Sequence, residues 1–150
     1  MLAKTTEVIT KNLQETQQFA EAFAENLQGN TVLLLSGDLG AGKTSFVQGF
    51  ARKLGITHRI ISPTFIILRS YEVPENTQGV SNFYHIDLYR IHSETEMRDL
   101  GLVDILRDSH NITVIEWSEK LKNLRPKNAW QLHFQHISET ERKITITKGD

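Results

Sequence analysis

Gly37-Asp38-Leu39-Gly40-Ala41-Gly42-Lys43-Thr44 is the stretch that decides the fold, and it matches the phosphate-loop pattern G-x-x-x-x-G-K-[ST]. The apolar run 31–36 comes directly before it and indicates a buried strand. Apolar residues at helical spacing come directly after it and indicate a helix over 45–54. A strand, a glycine loop and a helix in this order place backbone N–H groups around an anion. The alternative, a plain glycine-rich turn, does not account for both flanks.

The side chains of this loop predict how a nucleotide would be held. The glycines let the backbone approach the phosphates closely, and Lys43 can reach the β- and γ-phosphates as a point charge. The Thr44 hydroxyl is placed to ligate Mg²⁺. The predicted phosphate contacts are Gly37, Asp38, Leu39, Gly40, Ala41, Gly42, Lys43, Thr44 and Ser45.

Composition limits the class of protein. A chain of 150 residues suits one domain, and 17 Lys and Arg against 18 Asp and Glu argue against a globally basic nucleic-acid binder. The absence of cysteine excludes disulfides and cysteine-ligated zinc. No signal peptide and no apolar run of about 20 residues is present, so the cytoplasm is the simplest location and no membrane contact is expected.

The rest of the chain alternates helical and strand patterns. Asn12 with Glu15 and Ser93 with Glu96 form capping boxes that begin two helices, and Gly29 is expected to end the first of them. Strand patterns cover 5–10, 31–36, parts of 60–71 on either side of a turn, 82–90, 111–117, 130–135 and 144–147. These patterns predict an α/β fold, a single P-loop NTPase domain over residues 1–150. Its mixed sheet would carry helices on both faces and end in an antiparallel hairpin.

Two acids follow apolar strands and are expected to face the loop. Asp87 ends the run 83–87 and Glu116 ends the run 112–116, and such strand ends meet at the ligand edge of a sheet. One carboxylate would hold Mg²⁺ and the other would orient or activate the attacking water, but the pattern does not assign the two roles. The alternative for each is a surface carboxylate at a strand end.

Other residues near these motifs have two interpretations each. Residues 62–65 would contact the γ-phosphate and change position with nucleotide state, or would form an ordinary proline turn. His85 fits a supporting or packing histidine better than a zinc ligand. Trp117 would shield the site or pack on the nucleotide, or is a half-buried tryptophan. Arg90 and Arg142 are candidate phosphate or base contacts, with a plain surface charge as the alternative.

Five motifs in one order carry a family resemblance over about residues 6–146. They are Gly-Asp-Leu-Gly-Ala-Gly-Lys-Thr at 37–44, Ser-Pro-Thr-Phe at 62–65, His-Ile-Asp-Leu-Tyr-Arg at 85–90, Asp-Leu-Gly-Leu at 99–102 and Ile-Glu-Trp-Ser-Glu at 115–119. In this combination the chain resembles the TsaE (YjeE) family.

The resemblance implies a small bacterial P-loop ATPase with the cofactors ATP/ADP and Mg²⁺. It implies work with the partner proteins TsaB and TsaD in forming N6-threonylcarbamoyladenosine (t6A) at position 37 of tRNAs that read codons beginning with A. The protein would hydrolyse ATP without performing the carbamoyl transfer itself, and it would meet tRNA only indirectly or through the complex.

The resemblance also implies roles for individual residues. The catalytic set would be Asp87, Glu116 and Lys43, with Thr44 and Glu116 at the metal. The switch-like segment would be Ser62, Pro63, Thr64 and Phe65. Trp117 would lie beside the nucleotide, and the adenine would be contacted near Thr16 and Arg142.

Three other functions would be compatible with the phosphate loop if it were considered by itself. A small-molecule kinase would need a lid and an acceptor domain, for which 150 residues leave little room. A GTPase switch would need a guanine-selecting Asn-Lys-x-Asp segment, which is absent. A nucleotide-dependent binding module differs from a slow ATPase only in degree, so that alternative stays open.

Overall fold

The computed structural model describes residues 5–38, 40, 42–61, 66–74 and 79–149. Its strands are β1 (Thr5–Thr10), β2 (Thr31–Gly37), β3 (Leu68–Glu72), β4 (Asn82–Asp87), β5 (Asn111–Glu116), β6 (Trp130–His136) and β7 (Arg142–Lys148). Its helices are α1 (Leu13–Glu25), α2 (Lys43–Lys53), α3 (Glu94–Asp99) and α4 (Leu102–Arg107), and Ser118–Leu124 forms a 3₁₀ segment.

The described strands form one seven-stranded sheet in the order β1-β7-β6-β2-β5-β4-β3. The central strand β2 is parallel to both of its neighbours, β5 and β6, and β4 is parallel to β5. The pairs β3–β4, β6–β7 and β1–β7 are antiparallel. The predicted mixed sheet and C-terminal hairpin are therefore confirmed, and the strand that enters the phosphate loop lies in the middle of the sheet.

Helices cover both faces of the sheet, as predicted. On one face α1 and α2 bury a core rich in aromatic rings, in which Phe46 and Phe134 meet edge to face with centroids 5.6 Å apart. On the other face α3, α4 and the 3₁₀ segment pack Met97 and Leu121 over the central strands. Burial of these apolar side chains is the main favourable term that fixes α2 against β2.

The first helix begins where its capping box predicts. The Asn12 side chain accepts a hydrogen bond from the Glu15 backbone N–H at 2.8 Å, and Glu15 Oε1 accepts one from the Lys11 N–H at 2.8 Å. The expected end at Gly29 is wrong, because α1 stops at Glu25 with Asn26 as its C-cap. Gly29 instead allows a close backbone approach, since a Cβ there would lie 2.1 Å from the Ser109 carbonyl oxygen.

Two strands are shorter than their apolar patterns predict. The strand after residues 62–65 begins only at Leu68, because Ile67 adopts a positive φ of 74° that interrupts the extended run. Strand β4 ends at Asp87 rather than Arg90, because the Asp87 carboxylate accepts the Tyr89 backbone N–H and turns the chain. Within the described part of the chain, no helix has both the length and the apolar character that a membrane span requires.

Candidate functional site

The phosphate-loop stretch joins the central strand to α2. Gly37 ends β2 with a φ of 126°, and a Cβ there would lie 2.1 Å from the Phe134 carbonyl oxygen of β6. Gly42 precedes α2 with a φ of 97° and leaves the first turn of the helix without a side-chain cap. A first turn without a side-chain cap among the described residues has N–H groups available to a ligand, which is the arrangement that binds anions. Leu39 and Ala41 lie outside the described residues.

Lys43 lies in the concavity of the loop. Its Nζ donates to the Gly37 carbonyl at 2.9 Å, and it lies 5.8 Å from the centre of the Trp117 ring. The residue is only 8% exposed, so the ammonium group belongs to the site and not to the outer surface. Thr44 and Ser45 follow in the first turn of α2 and are half-buried.

The two predicted acids are neighbours on adjacent parallel strands. Asp87 of β4 lies opposite Glu116 of β5, and both are buried, at 2% and 5% exposure. The Asp87 Oδ1 atom accepts the Tyr89 N–H at 2.9 Å, and the Leu88 N–H donates to the Glu116 carbonyl at 3.1 Å. These bonds fix the backbone of both strand ends, so that the two carboxylates are held side by side.

His85 lies beneath this pair. Its Nε2 is 2.7 Å from Oε2 of Glu116, and the His85 side chain is fully buried. The contact agrees with the interpretation of His85 as a supporting histidine.

An aromatic pair borders the acids. Trp117 follows Glu116 with a φ of 58°, and its ring centroid is 5.0 Å from that of Tyr89. Lys120 fixes the Tyr89 segment, because its Nζ donates to the carbonyls of Tyr89 at 2.5 Å and Ile91 at 3.0 Å. The Tyr89 side of this pair is half exposed, whereas the Trp117 side faces Lys43.

Most of the predicted site residues that the structure describes come together around one cleft of about 380 Å³. Its lining residues are Leu13, Gly40, Gly42, Lys43, Thr44, Ser45, Asp87, Glu116, Trp117 and Arg142. Leu13 is the one member that the sequence did not predict. It begins α1 with about half of its surface exposed, and only its place next to the capping residue Asn12 could have drawn attention to it.

Two predicted base contacts have other partners. Thr16 is fully buried, and its hydroxyl lies 2.7 Å from that of Thr10. Arg142 donates from its Nη1 to the carbonyls of Ser138, Glu139 and Glu141 at 3.1–3.2 Å. Its Nη2 lies 3.4 Å from the Gly40 carbonyl. Arg142 therefore ties the β6–β7 turn to the phosphate loop. That either residue contacts a base stays a prediction.

The predicted switch-like residues Ser62, Pro63, Thr64 and Phe65 lie outside the described residues. Asp38 belongs to the described loop and is exposed. Arg90 is exposed beyond the end of β4 and does not line the cleft.

The donor set of the cleft suits a phosphorylated, metal-bound ligand. Lys43 and the N-terminus of α2 supply positive charge, and Thr44, Asp87 and Glu116 supply the hard oxygen ligands that Mg²⁺ prefers. In the part of the chain that is described, no three His, Asp or Glu side chains form a metal site by themselves. A Mg²⁺ ion that also binds phosphate oxygens and water does not need such a cluster.

Comparisons with known proteins agree with this arrangement. The model of the family described as "Threonylcarbamoyl adenosine biosynthesis protein TsaE" matches residues 10–144. The tRNA threonylcarbamoyladenosine biosynthesis protein TsaE of Rickettsia bellii is 40% identical over 142 residues, which cover 94% of each chain. The protein of the same name from Bacillus subtilis is 38% identical over 138 residues, which cover 92% of this chain and 82% of that one.

A solved structure extends the likeness to three dimensions. The crystal structure of Bacillus subtilis YdiB aligns with a TM-score of 0.81 at 31% identity and covers all of this chain and 89% of that one. The sequence match spans the phosphate loop, both acids and the C-terminal hairpin as far as residue 144. The chain therefore belongs to the TsaE family, a family of P-loop ATPase-type proteins whose named members act in tRNA threonylcarbamoyladenosine biosynthesis.

Proposed function

We propose that this protein is the ATP-binding and ATP-hydrolysing subunit that TsaB and TsaD require to form t6A at position 37 of tRNAs reading ANN codons. The observation that carries the proposal is the meeting of Lys43, Asp87 and Glu116 in one cleft at the end of the central strand. A lysine in a glycine loop binds phosphate, whereas two adjacent buried acids suit metal binding and water activation.

The proposed nucleotide contacts follow the loop. Residues 37–45 hold the phosphates through backbone N–H groups, and Lys43 exchanges its present bond to the Gly37 carbonyl for the β- and γ-phosphates. Thr44 and Glu116 hold Mg²⁺, which neutralises charge on the phosphates when it is bound. Asp87 then orients the attacking water. Residues 62–65 respond to the nucleotide state.

The base and ribose would lie toward α1. Leu13 offers an exposed apolar side chain at the cleft, and Arg142 lies beside Gly42, whose added Cβ would be 3.8 Å from Arg142 Cγ. Trp117 packs over Lys43 and excludes water from the phosphate end. Thr16 packs beside Gly42 and supports the cleft at this point, because an added Cβ on Gly42 would lie 3.9 Å from the Thr16 methyl carbon.

We propose that hydrolysis resets a complex with TsaB and TsaD and releases no further product. Among its described lining residues, the cleft offers phosphate and metal ligands but no second group of polar side chains for an acceptor substrate. The near-neutral charge of the chain favours contact with tRNA only through the complex. The cytoplasm, where tRNA is modified, is the proposed location, and residues 1–150 would act as one domain.

The proposal is tested by reconstitution of t6A formation. Purified TsaB and TsaD are given tRNA, ATP, Mg²⁺ and a threonylcarbamoyl donor, with or without this protein, and t6A is measured in the digested tRNA. We expect sustained t6A formation only with the wild-type protein and with Lys53→Ala, a variant at the exposed end of α2. Lys43→Ala should fail. Equal t6A without the protein would overturn the proposed role.

A further inference from the structure

Among the described residues, Glu116 is the site residue to which the buried histidine beneath the acids is hydrogen-bonded. His85 Nε2 lies 2.7 Å from Oε2 of Glu116, and the exposed fractions of the two side chains are 0% and 7%. In the register of β4 and β5, His85 lies opposite Val114 and Asp87 lies opposite Glu116. His85 is therefore two residues deeper along the strand than Asp87 and lies on the same face of the sheet.

This placement separates His85 from any ligand in the cleft. Asp87 and Glu116 line the cleft, and His85 does not. Among the described residues, Glu116 is the one through which its ring can affect a bound nucleotide or metal.

The direction of the hydrogen bond depends on the histidine tautomer. When the Glu116 carboxylate is ionised, as a metal ligand must be, it only accepts, and the hydrogen of this bond belongs to Nε2 of His85. The other ring nitrogen, Nδ1, is buried and has no hydrogen-bond partner among the described residues. Within the described part of the chain, the hydrogen bond to Glu116 is therefore the one that orients the His85 ring.

We infer that His85 is a positioning residue that fixes the Glu116 carboxylate for Mg²⁺, an inference that rests on the proposed function. The bond to Oε2 holds the carboxylate in one rotamer and leaves Oε1 as the oxygen for the metal or its water. Without His85, a buried carboxylate would lose its donor and would turn toward water or toward Lys43. Hydrogen-bonded partners behind metal ligands typically change metal affinity by about 10- to 100-fold when they are removed.

Two amide variants separate positioning from simple packing. In His85→Gln the amide nitrogen can reach the position of Nε2, whereas in His85→Asn it reaches only the position of Nδ1. Both variants are polar and similar in size, so a purely structural role would affect them alike. His110→Asn, at an exposed histidine before β5, is the control substitution.

The readout is nucleotide binding, measured without turnover. ADP affinity is determined by calorimetry in EDTA and over a range of Mg²⁺ concentrations, and thermal melts confirm that each variant is folded. We expect His85→Asn to raise the half-saturating Mg²⁺ concentration about 10-fold or more while ADP affinity in EDTA stays unchanged. His85→Gln and His110→Asn should stay close to the wild type.

A double substitution gives an independent test. If His85 acts only through Glu116, adding His85→Asn to Glu116→Ala should not change the Mg²⁺ dependence further. Equal Mg²⁺ dependence of His85→Asn and the wild type, or equal losses in His85→Asn and His85→Gln, would overturn the inference. A wild-type protein whose ADP affinity does not respond to Mg²⁺ would instead contradict the proposed function on which the inference rests.

Discussion

Asp87 and Glu116 lie opposite each other at the carboxyl ends of the parallel strands β4 and β5. Both carboxylates are buried, and both line the cleft that contains Lys43. Two like charges at paired positions of neighbouring strands are costly unless a cation or a hydrogen-bond donor lies between or beside them. We propose that the pair is a site for a divalent cation next to a bound phosphate.

Removal of the lysine should abolish tight nucleotide binding. Lys43→Ala deletes the ammonium group in the concavity of the loop, and charge-assisted hydrogen bonds of this kind contribute about 1.5–3 kcal/mol each. We expect ATP affinity to fall at least about 10-fold in equilibrium binding, with a normal melting temperature. Lys53→Ala, on the exposed end of the same helix, is the matched control and should bind ATP normally. Equal affinities of the two variants would exclude Lys43 from the phosphate site.

Removal of either acid should lower the rate of ATP hydrolysis and leave ATP binding largely unchanged. Asp87→Ala and Glu116→Ala keep the loop, so ATP binding should stay largely intact while hydrolysis falls about 100-fold. The measurements are ATP affinity and steady-state phosphate release for each variant. Glu119→Ala, an exposed acid shortly after Trp117, controls for the loss of negative charge. Wild-type hydrolysis by both acid variants would show that the two-acid proposal is wrong.

The end of the central strand should tolerate only glycine. In Gly37→Ala the new Cβ would lie 2.1 Å from the Phe134 carbonyl oxygen, and backbone of a neighbouring strand cannot move aside cheaply. We expect the free energy of unfolding in urea to fall by about 3 kcal/mol or more. Gly101 also has a positive φ, of 78°, but a Cβ there would meet no described atom within 4 Å, so Gly101→Ala should cost only about 1–2 kcal/mol. Similar losses at both positions would contradict the close approach of β2 and β6.

The arginine of the last hairpin should contribute to stability as well as to binding. Arg142→Gln removes the hydrogen bonds that join the β6–β7 turn to the loop, and we expect a loss of about 2 kcal/mol in urea unfolding. Lys143→Gln breaks only the partly exposed pair with Glu7 and should change stability by less than about 1 kcal/mol. If Arg142→Gln were as stable as the wild type, the hydrogen bonds of Arg142 to the turn and the loop would contribute nothing to the free energy of unfolding.

Local sequence patterns predicted those parts of the site that are formed by residues close together in the chain. The strand, loop and helix around Lys43 follow from glycine spacing and apolar periodicity, which act over a few residues. The closeness of Asp87 and Glu116 was predictable because the carboxyl ends of neighbouring parallel strands meet at one edge. The capping role of Asn12 was readable from the residue three positions later.

The contacts that the sequence could not predict depend on how strands that are distant in the chain pair with each other. The bond between His85 and Glu116 depends on β4 pairing with β5 in one register, which no local pattern specifies. The contacts of Arg142 with turn carbonyls depend on the β6–β7 hairpin returning beside the loop. The early end of β4 came from the Asp87 side chain, whose bond to the backbone outweighed the extended preference of the following residues.

We propose that this cleft binds ATP and hydrolyses it for a tRNA-modifying complex. Phosphate release from Mg·ATP tests this proposal; it is measured with the purified protein alone and with TsaB and TsaD, with Mg·GTP as the nucleotide control. We expect release that is selective for ATP and rises when the partners are added. ATP binding without phosphate release under any of these conditions would contradict this proposal and would leave Asp87 and Glu116 without a catalytic role.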